Sequence, residues 1–421
     1  MASLREAVIN GLAPDKGLYM PQQIKRLPDS FFENIETLSF QEIACTVADA
    51  FFGEDIPQEE LRRIVCDTLS FDTPLVPVTG NICSLELFHG PTLAFKDVGA
   101  RFMARLLSYF IKGQRGNVNV LVATSGDTGS AVANGFLGVD GIRVFVLYPH
   151  GKVSDVQEKQ FTTLGQNITA LEIDGVFDDC QRLVKCAFAD TELRGKMRLT
   201  SANSINIARF LPQSFYYFYA YAQLKKMGRQ GEVVFSVPSG NFGNLTAGLF
   251  AKRMGLPVKR FIAANNRNDV FLKYLNTGIY KAQITYETIA NAMDVGDPSN
   301  FARVFDLYGG SHQAITGDIE GFSYPDSRIC QAIQECRHNS RYLLDPHGAC
   351  GYQALREGLK EGEQGIFLET AHPAKFRDTV GAILAEEVEL PPALQQFMQG
   401  TKASIRLSHE YEDLKEFLEK Q

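Results

Sequence analysis

The chain has 421 residues, of which 45% are hydrophobic and 22% are charged, and its formal net charge is −7 at pH 7. This composition is typical of a soluble globular protein with two or three domains, and an acidic chain without a basic block gives no support to nucleic-acid or anionic-membrane binding. The eight cysteines form no CxxC pair and the seven histidines lack a metal-ligand spacing, so we expect reduced thiols, no bound metal and a cytoplasmic location.

The first 75 residues are expected to form a mostly helical N-terminal domain. Helical periodicity runs through residues 31–50 and 57–69. Residues 71–79 contain two prolines and are typical of a linker, so we predict a domain boundary at about residue 75.

From about residue 80, short apolar strands alternate with glycine-rich loops and helices. We predict strands at residues 82–88, 118–123, 142–148, 168–173, 232–237, 258–264 and 365–368. This alternation is typical of parallel sheets covered by helices, the α/β class. Ligands of such sheets bind at the carboxyl ends of the strands, where the loops lie. An amphipathic helix is expected at residues 408–421.

Lys96 stands at the centre of the motif LFHGPTLAFKD, residues 87–97, and an amphipathic helical pattern follows it. The helix dipole and partial burial both disfavour an ammonium group at the start of a helix. A lysine in that position is suited to react as a neutral amine with an aldehyde cofactor. The alternative is an ordinary lysine whose side chain extends from a helix start into solvent.

Two glycine-rich loops follow predicted strands. PSGNFGN, residues 238–244, opens a helix and is suited to hold a phosphate with backbone N–H groups, although a tight turn without a ligand is the alternative. In TSGDTGS, residues 124–130, Ser125 and Thr128 suit binding of a carboxylate or phosphate. Asp127 does not suit an anion and suggests a second role, and simple helix capping is the alternative.

Two further segments carry polar groups that suit ligand binding. Residues 202–213 contain Asn203, Ser204 and Arg209, which are suited to surround a phosphate; a capping residue beside a solvated arginine is the alternative. Thr370 follows the last predicted strand, where its hydroxyl is suited to hydrogen-bond a heterocycle nitrogen without protonating it. We expect His372 to be a core histidine.

Taken together, these motifs resemble the threonine synthase family, in the bacterial and fungal branch with an extra N-terminal domain. The resemblance spans nearly the whole chain and includes GLAPDKGLYMP, ELFHGPTLAFKD, LVATSGDTGSAVA, SANSINIARFLPQ, VVFSVPSGNFGNLTAG, NAMDVGDPSN and ETAHPAKF. It implies fold type II of the pyridoxal-phosphate enzymes, similar to the tryptophan synthase β subunit: two parallel-sheet domains covered by helices, plus the helical domain 1–75. The catalytic region would be 76–421, with a smaller mobile domain at about 105–205.

The resemblance also implies roles for individual residues. Lys96 would be the catalytic residue and would bind pyridoxal 5′-phosphate as a Schiff base. The other cofactor-binding residues would be Asp127, Gly240, Asn241, Phe242, Gly243, Asn244 and Thr370. The substrate-binding residues would be Ser125, Gly126, Thr128, Gly129, Asn203, Ser204 and Arg209. Related branches have asparagine where this chain has Asp127, which leaves its contact with the 3′-oxygen of the cofactor open.

The implied reaction converts O-phospho-L-homoserine and water to L-threonine and phosphate by β,γ-replacement. The alternative is a phospho-lyase that releases 2-oxobutyrate from the same substrate. A serine or threonine dehydratase shares the fold but does not account for the 203–209 cluster, and a non-catalytic anion-binding protein would leave Lys96 unreactive. We expect a small-molecule substrate, no nucleic-acid or membrane partner, and a monomer or weak homodimer.

Overall fold

The computed structural model describes all residues, Met1–Gln421, and contains two β-sheets. The strands are β1 Leu75–Thr79, β2 Ile82–Glu86, β3 Val118–Ala123, β4 Ile142–Pro149, β5 Ile168–Asp174, β6 Arg198–Ser201, β7 Glu232–Pro238, β8 Arg260–Asn265, β9 Ile319–Ser323, β10 Glu363–Glu369 and β11 Ile405–Ser408. Strands alternate with helices over most of the chain, so the predicted α/β class is confirmed.

The helices connect and cover these strands. They are α1 Leu4–Asn10, α2 Asp29–Glu33, α3 Phe40–Phe52, α4 Gln58–Thr68, α5 Lys96–Ile111, α6 Asp127–Phe136, α7 Asp155–Thr162, α8 Phe177–Ala189, α9 Thr191–Lys196, α10 Ile207–Phe210, α11 Ser214–Lys226, α12 Gly243–Arg253, α13 Val270–Thr277, α14 Phe301–Leu307, α15 His312–Asp318, α16 Asp326–Ser340, α17 Pro346–Gly358, α18 Arg377–Leu384, α19 Pro392–Met398 and α20 Tyr411–Glu419. Short 3₁₀ turns lie at Ile35–Thr37, Leu211–Gln213, Asn291–Met293 and Pro373–Phe376. None of the helices combines the length and the hydropathy needed to cross a bilayer.

The chain divides into two compact units. The first unit comprises Met1–Tyr19, Lys96–Arg209 and Leu390–Gln421. Its sheet has the strand order β11-β5-β4-β3-β6, and all neighbouring strands are parallel. Strand β3 is buried along its whole length, as expected for a parallel strand covered on both faces. Leucines of α8 and α20 pack against β3, β4 and β5 in one hydrophobic core.

The second unit comprises Met20–Phe95 and Phe210–Glu389. Its sheet has the strand order β1-β2-β10-β7-β8-β9, and only the β1–β2 pair is antiparallel. Helices α16 and α17 bury one face of this sheet. Aromatic residues of α11 pack against β7 and β8, where the ring of Tyr217 lies 5.0 Å from that of Phe235. The carboxyl ends of β7 and β10 lead into two of the predicted functional segments.

All seven predicted strands are confirmed, with ends shifted by a few residues, but four strands were not predicted. They are β1, β6, β9 and β11, and each is an edge strand of its sheet. The interpretation of residues 71–79 as a linker was therefore wrong for β1. An edge strand tolerates Pro77 because one side of its backbone has no strand partner and needs no ladder N–H there.

The helix predicted over residues 31–50 was wrong in its extent, whereas the helix at 57–69 is confirmed as α4. The first region contains α2, a 3₁₀ turn and α3 instead. Ser39 restarts the helix because it forms a capping box with Glu42, which satisfies N–H groups at the beginning of α3. Residues 1–75 contribute to both compact units, so the boundary at residue 75 and the mobile domain at about 105–205 stay predictions.

Candidate active site

Lys96 is the first residue of α5, which confirms its predicted position at a loop-to-helix junction. Its side chain is half-buried, and the next residue, Asp97, is buried. The loop before it is fixed by the N–H of Phe95, which donates to the carbonyl of Thr370 over 2.9 Å. The ammonium of Lys375 is buried and donates to the carbonyl of Thr92 over 2.7 Å. The sequence therefore holds Lys96 at the positive end of a helix dipole, on an ordered backbone.

The loop between β7 and α12 is shaped to bind an anion. Phe242 adopts a left-handed conformation with φ of 62° immediately before α12 begins at Gly243. The side chain of Asn244 closes the loop by donating to the carbonyl of Pro238 over 2.9 Å. A Cβ atom on Gly240 would lie 2.8 Å from Cα of Met293, so only glycine fits there. The first N–H groups of a helix have no partner within the helix, and they suit a phosphate.

A network of polar groups that extends from the surface to the buried side chains of Asn300 and Arg303 supports this loop. Asn241 accepts a hydrogen bond from the N–H of Ser299 at Oδ1, 2.6 Å, and its carbonyl accepts one from Nδ2 of Asn300, 3.0 Å. Asn300 in turn accepts from Nη1 of Arg303 over 2.6 Å. The Arg303 guanidinium stacks 4.2 Å from the ring of Phe210, and burial lowers its pKa to about 9. We did not predict Asn300 or Arg303, although the motif NAMDVGDPSN ends at Asn300.

Thr370 directly follows β10 and is buried. It therefore lies at the carboxyl end of a central parallel strand, as predicted. His372 is half-buried, and its Nδ1 accepts a hydrogen bond from the N–H of Ala374 over 3.1 Å. Burial lowers the pKa of His372 to about 4, so the ring is neutral at pH 7. This environment agrees with the expected core histidine.

The TSGDTGS segment forms a tight turn at the end of β3, and α6 begins at Asp127. The hydroxyl of Thr124 organises the turn by accepting hydrogen bonds from the N–H groups of Gly126 and Gly129, at 2.9 and 2.8 Å. Gly126 has φ of 144°, and a Cβ atom there would lie 2.6 Å from the side chain of Gln157. Asp127 accepts a hydrogen bond from Nε2 of Gln157 over 2.8 Å.

These contacts give Asp127 a structural role in addition to any contact with a ligand. Ser125 and Thr128 are the partly exposed side chains of the turn, which suits the predicted contact with substrate. The sequence analysis missed Thr124 and Gln157. Thr124 opens the quoted motif, whereas only the chain fold brings Gln157 to it.

The 202–209 cluster lies in the same unit as this turn. Asn203 donates through Nδ2 to the carbonyl of Ala123 over 3.2 Å, which joins the cluster to the end of β3. Asn203 and Ser204 are partly exposed, whereas Arg209 is buried. Nη1 of Arg209 donates to the carbonyl of Ala202. Burial lowers the pKa of Arg209 to about 10, against the opposing influence of the Asp97 carboxylate.

Helix α5 packs tightly on this cluster. A Cβ atom on Gly99 would lie 2.2 Å from the carbonyl oxygen of Arg209, so a glycine is required one turn after Lys96. The first unit thus contains Lys96, the 125–129 turn and the 203–209 cluster, and the second unit contains residues 240–244 and Thr370. The substrate role predicted for Arg209 stays a prediction, because its observed contacts are with the protein.

Comparison with known proteins identifies the family of the chain. Residues 69–369 match the family described as pyridoxal-phosphate dependent enzyme, residues 1–69 match the threonine synthase N terminus, and residues 348–418 match the threonine synthase C-terminal family. The threonine synthase of Escherichia coli K12 is 47% identical over 395 residues, which cover 94% of this chain and 91% of that protein.

Two solved structures are similar over 99% of this chain and 96% of their own. The crystal structure of threonine synthase from Escherichia coli has a TM-score of 0.92 at 43% identity. The pyridoxal-phosphate-bound threonine synthase from Brucella melitensis has a TM-score of 0.91 at 36% identity. The similarity therefore extends over the N-terminal segment, both sheets and the C-terminal segment.

Proposed function

The chain belongs to the threonine synthase family of pyridoxal-phosphate-dependent enzymes, and on that basis we propose that it converts O-phospho-L-homoserine and water to L-threonine and phosphate. It is a lyase of fold type II, and its cofactor is pyridoxal 5′-phosphate. The proposal rests on the match of the chain to all three families, the pyridoxal-phosphate enzymes and the N-terminal and C-terminal threonine synthase families. In the structure, Lys96 is the first residue of a helix. The residue roles that follow are our proposals.

The donor groups present fit this cofactor. The loop 240–244 offers helix-terminal N–H groups to the phosphate, and the neutral hydroxyl of Thr370 suits the ring nitrogen. We propose that Lys96 holds the aldehyde carbon through Nζ, and that Asp127 borders the ring. When bound, the cofactor acts as an electron sink for negative charge that develops on the substrate carbons.

Lys96 is the base that this chain supplies. We propose that its Nζ, freed from the cofactor when the substrate binds, removes first the α-proton and then a β-proton of the substrate and later returns one proton to the γ-carbon and the other to the α-carbon. Phosphate leaves from the γ-carbon with the electron pair of the broken C–O bond. Water then adds at the β-carbon, so that the hydroxyl stays on that carbon and a proton is released. The departing phosphate is positioned to accept that proton.

In this proposal, two sets of polar residues in the first unit position the substrate. The turn of Ser125, Gly126, Thr128 and Gly129 binds the carboxylate through the hydroxyls of Ser125 and Thr128, because the N–H groups of Gly126 and Gly129 donate to Thr124. Asn203, Ser204 and Arg209 bind the phosphate that serine, threonine and homoserine lack. Binding of the leaving group contributes both to affinity and to stabilisation of the transition state.

The test is to incubate the holoenzyme with O-phospho-L-homoserine and to follow phosphate, threonine and 2-oxobutyrate together. We expect phosphate and threonine to appear in equal amounts. Phosphate accompanied by 2-oxobutyrate would instead identify the alternative phospho-lyase, which needs the same residues. The protein could instead be yellow and lose its visible absorption on borohydride reduction but fail to turn over this substrate. That result would contradict the proposed substrate and leave the cofactor assignment intact.

The cellular location, the oligomeric state and the domain organisation complete the proposal. We propose a cytoplasmic enzyme that is a monomer or a weak homodimer and that acts without a nucleic-acid or membrane partner. We also propose the N-terminal domain 1–75 and a smaller mobile domain at about 105–205. Closure of a mobile domain would exclude water while charge develops on the substrate carbons.

A further inference from the structure

Two buried carboxyl groups lie next to each other behind the end of β10. Glu369, the last residue of β10, and Asp345, the residue before α17, are both fully buried. Oε1 of Glu369 accepts a hydrogen bond from the N–H of Asp345 over 2.6 Å. Oε2 of Glu369 is buried without a hydrogen-bond partner, and a Cβ atom on Gly348 would lie 1.7 Å from it. Two adjacent carboxylates in such a site cannot both be ionised at a small energetic cost.

The hydrogen bonds decide which of the two acids keeps its charge. Asp345 is the N-cap of α17 and accepts from the N–H groups of His347 and Gly348, at 2.7 and 3.3 Å. Its Oδ1 also lies 2.5 Å from Nδ1 of His347. Three donors and a helix N-terminus favour the ionised form of Asp345. Glu369 has one backbone donor, so it is the group that holds the proton.

The imidazole of His347 extends this network towards the phosphate loop. Its Nε2 accepts a hydrogen bond from the N–H of Ala292 over 3.1 Å, so Nε2 carries no proton. The ring proton therefore lies on Nδ1 and is donated to Asp345, which leaves His347 neutral. Ala292 is in the 3₁₀ turn that meets Gly240: a Cβ atom on Gly240 would lie 2.9 Å from the carbonyl oxygen of Ala292.

We propose that Glu369 is a neutral carboxylic acid beside the ionised Asp345, and that this pair, with His347, is a positioning network that joins Thr370 to the phosphate loop at Gly240. One end of the network is covalently next to Thr370, and the other end fixes the turn against which Gly240 packs. The network thus sets the backbone at both proposed contacts of the cofactor, its ring nitrogen and its phosphate. This inference rests on the proposed function only for the identity of the ligand.

A neutral Glu369 also matters for the charge near the ring nitrogen. A carboxylate adjacent to Thr370 would favour protonation of that nitrogen, whereas an uncharged acid leaves the neutral hydroxyl of Thr370 to set its state. Burial first, and then the Asp345 carboxylate, raise the pKa of Glu369 well above its ordinary value. The observed geometry and the electrostatics therefore agree.

The decisive comparison is between Glu369→Gln and Asp345→Asn, measured as thermal unfolding of the cofactor-free chain and as the dissociation constant of pyridoxal 5′-phosphate. Glutamine reproduces the shape of a neutral acid, so we expect an unfolding temperature at pH 7 that is no lower than that of wild type and a change in affinity within about twofold. Asparagine cannot replace a carboxylate that accepts from three donors, so we expect a lower unfolding temperature and affinity reduced about tenfold or more.

Glu363→Gln is the matched control, since Glu363 is a buried glutamate on the same strand. It is ionised, because Nη2 of Arg260 donates to it over 2.7 Å. We expect Glu363→Gln to lower the unfolding temperature, unlike Glu369→Gln. If Glu369→Gln destabilises the chain as much as Glu363→Gln, Glu369 is ionised and the proposal fails.

A spectroscopic measurement tests the proton directly, even if Asp345→Asn does not fold. The difference infrared spectrum of the wild-type holoenzyme minus Glu369→Gln at pH 7 should contain the carbonyl stretching band of a protonated carboxylic acid. A spectrum with only carboxylate bands would overturn the proposal. These readouts do not involve turnover, so they remain valid if the proposed reaction proves wrong.

The pH dependence of unfolding gives an independent check. The groups facing Glu369 are Asp345 and His347 at the start of α17, Cys336 of α16, Tyr342 before α17 and Glu86 of β2. These neighbours offer Glu369 no guanidinium or ammonium group. The pKa of Glu369 is higher in the folded chain than in the unfolded chain, where it is about 4.3. The contribution of Glu369 to the free energy of unfolding is therefore present below about pH 4.3 and is lost as the pH rises towards the folded pKa. Glu369→Gln should therefore gain stability relative to wild type between pH 5 and pH 8, and an unchanged difference would contradict the proposal.

Discussion

At the scale of single residues, Lys96 is distinguished by its place in the backbone. It begins α5, where the helix dipole disfavours a positive charge, and its loop is fixed by the hydrogen bond from Phe95 to Thr370. Lys96 is half-buried rather than extended into solvent, so the alternative of a surface lysine loses support. A primary amine in this setting can act both as the cofactor ligand and as a base.

Substitution of Lys96 tests both roles. Lys96→Ala should abolish threonine formation, because it removes the cofactor linkage and the base together. Lys96→Arg should also be inactive, because a guanidinium is not a neutral amine near pH 7. Product formation and the visible absorption of the cofactor are the measurements, and circular dichroism controls for folding. Wild-type turnover by Lys96→Ala would refute the central assignment.

Arg209 differs from the other predicted substrate residues because it is buried and donates to the carbonyl of Ala202. If it also binds the substrate phosphate, Arg209→Lys should lose roughly 2–4 kcal/mol, on the order of 30- to 1000-fold in kcat/KM, since lysine cannot form the paired hydrogen bonds. Asn203→Ala and Ser204→Ala should each lose less, because they remove neutral donors. Cofactor absorption should stay normal in all three variants.

Steady-state kinetics on O-phospho-L-homoserine measures these effects, and thermal unfolding separates them from damage to the fold. A variant Arg209→Lys with unchanged unfolding and unchanged kcat/KM would remove Arg209 from the substrate site. Loss of unfolding temperature without loss of kcat/KM would make Arg209 a purely structural residue, which its contacts with Ala202 and Gly99 would explain.

At the scale of elements, most functional segments follow inner strands, whereas the 203–209 cluster follows the edge strand β6. The loop between β7 and α12 depends on close packing: Gly240 meets the backbone at Ala292 and Met293, and Asn244 closes the loop onto Pro238. The left-handed Phe242 then directs the chain into α12. A phosphate loop formed in this way tolerates no added volume, because the neighbouring atoms belong to the backbone and cannot rotate away.

Gly240→Ala should therefore weaken cofactor binding. The new Cβ atom would lie 2.8 Å from Cα of Met293, so the loop must shift, and we expect the dissociation constant of pyridoxal 5′-phosphate to rise about tenfold or more. Gly317→Ala is the matched control, since Gly317 lies in α15 of the same unit with no atom within 4 Å of an added Cβ. The measurement is titration of the cofactor-free protein. Equal affinity of the two variants would mean that residues 240–244 are only a turn.

At the scale of the whole molecule, both ends of the chain belong to the first unit. Strand β11 near the C terminus pairs with β5 and covers that edge of the sheet. Lys402 fixes the segment before β11 by ion pairs with Glu158 and Glu172, at 2.6 and 3.0 Å. His150 and Ser404 also hydrogen-bond Glu172. Residues distant in sequence thus complete the first unit.

The free energy of unfolding of Lys402→Ala should be about 1–2 kcal/mol lower than that of wild type near pH 7. Burial alone would raise the pKa of Glu172, but hydrogen bonds from His150, Lys402 and Ser404 lower it to about 2. A depressed pKa contributes stability that is present above the unfolded pKa of about 4.3 and is lost as the pH falls towards about 2. The difference between wild type and Lys402→Ala, measured by thermal unfolding, should therefore shrink below pH 4. Lys415→Ala removes a second ion pair of the same unit, that with Asp190, and serves as the comparison. A difference for Lys402→Ala that grows in acid would contradict this account.

The inner strands and the main motifs could be predicted from the order of the residues alone. The seven inner strands are rich in apolar residues because strands inside a sheet covered by helices are buried on both faces, so they could be predicted from the sequence. The four edge strands were missed because they are short and partly exposed, and they become strands only by pairing with a neighbour. Lys96, the two glycine loops and Thr370 could likewise be proposed as functional because each lies within a local motif.

The distant residues that support those motifs become apparent only in the folded chain. Gln157 reaches Asp127, Arg303 supports Asn241 through Asn300, and the pair Glu369 and Asp345 links two loops through His347. Local sequence carries no signal for such partners, because the proton and charge state of a buried group depends on all the groups packed around it. Chemistry within a motif can be read from the residues, whereas the environment that positions and tunes it exists only once the chain has folded.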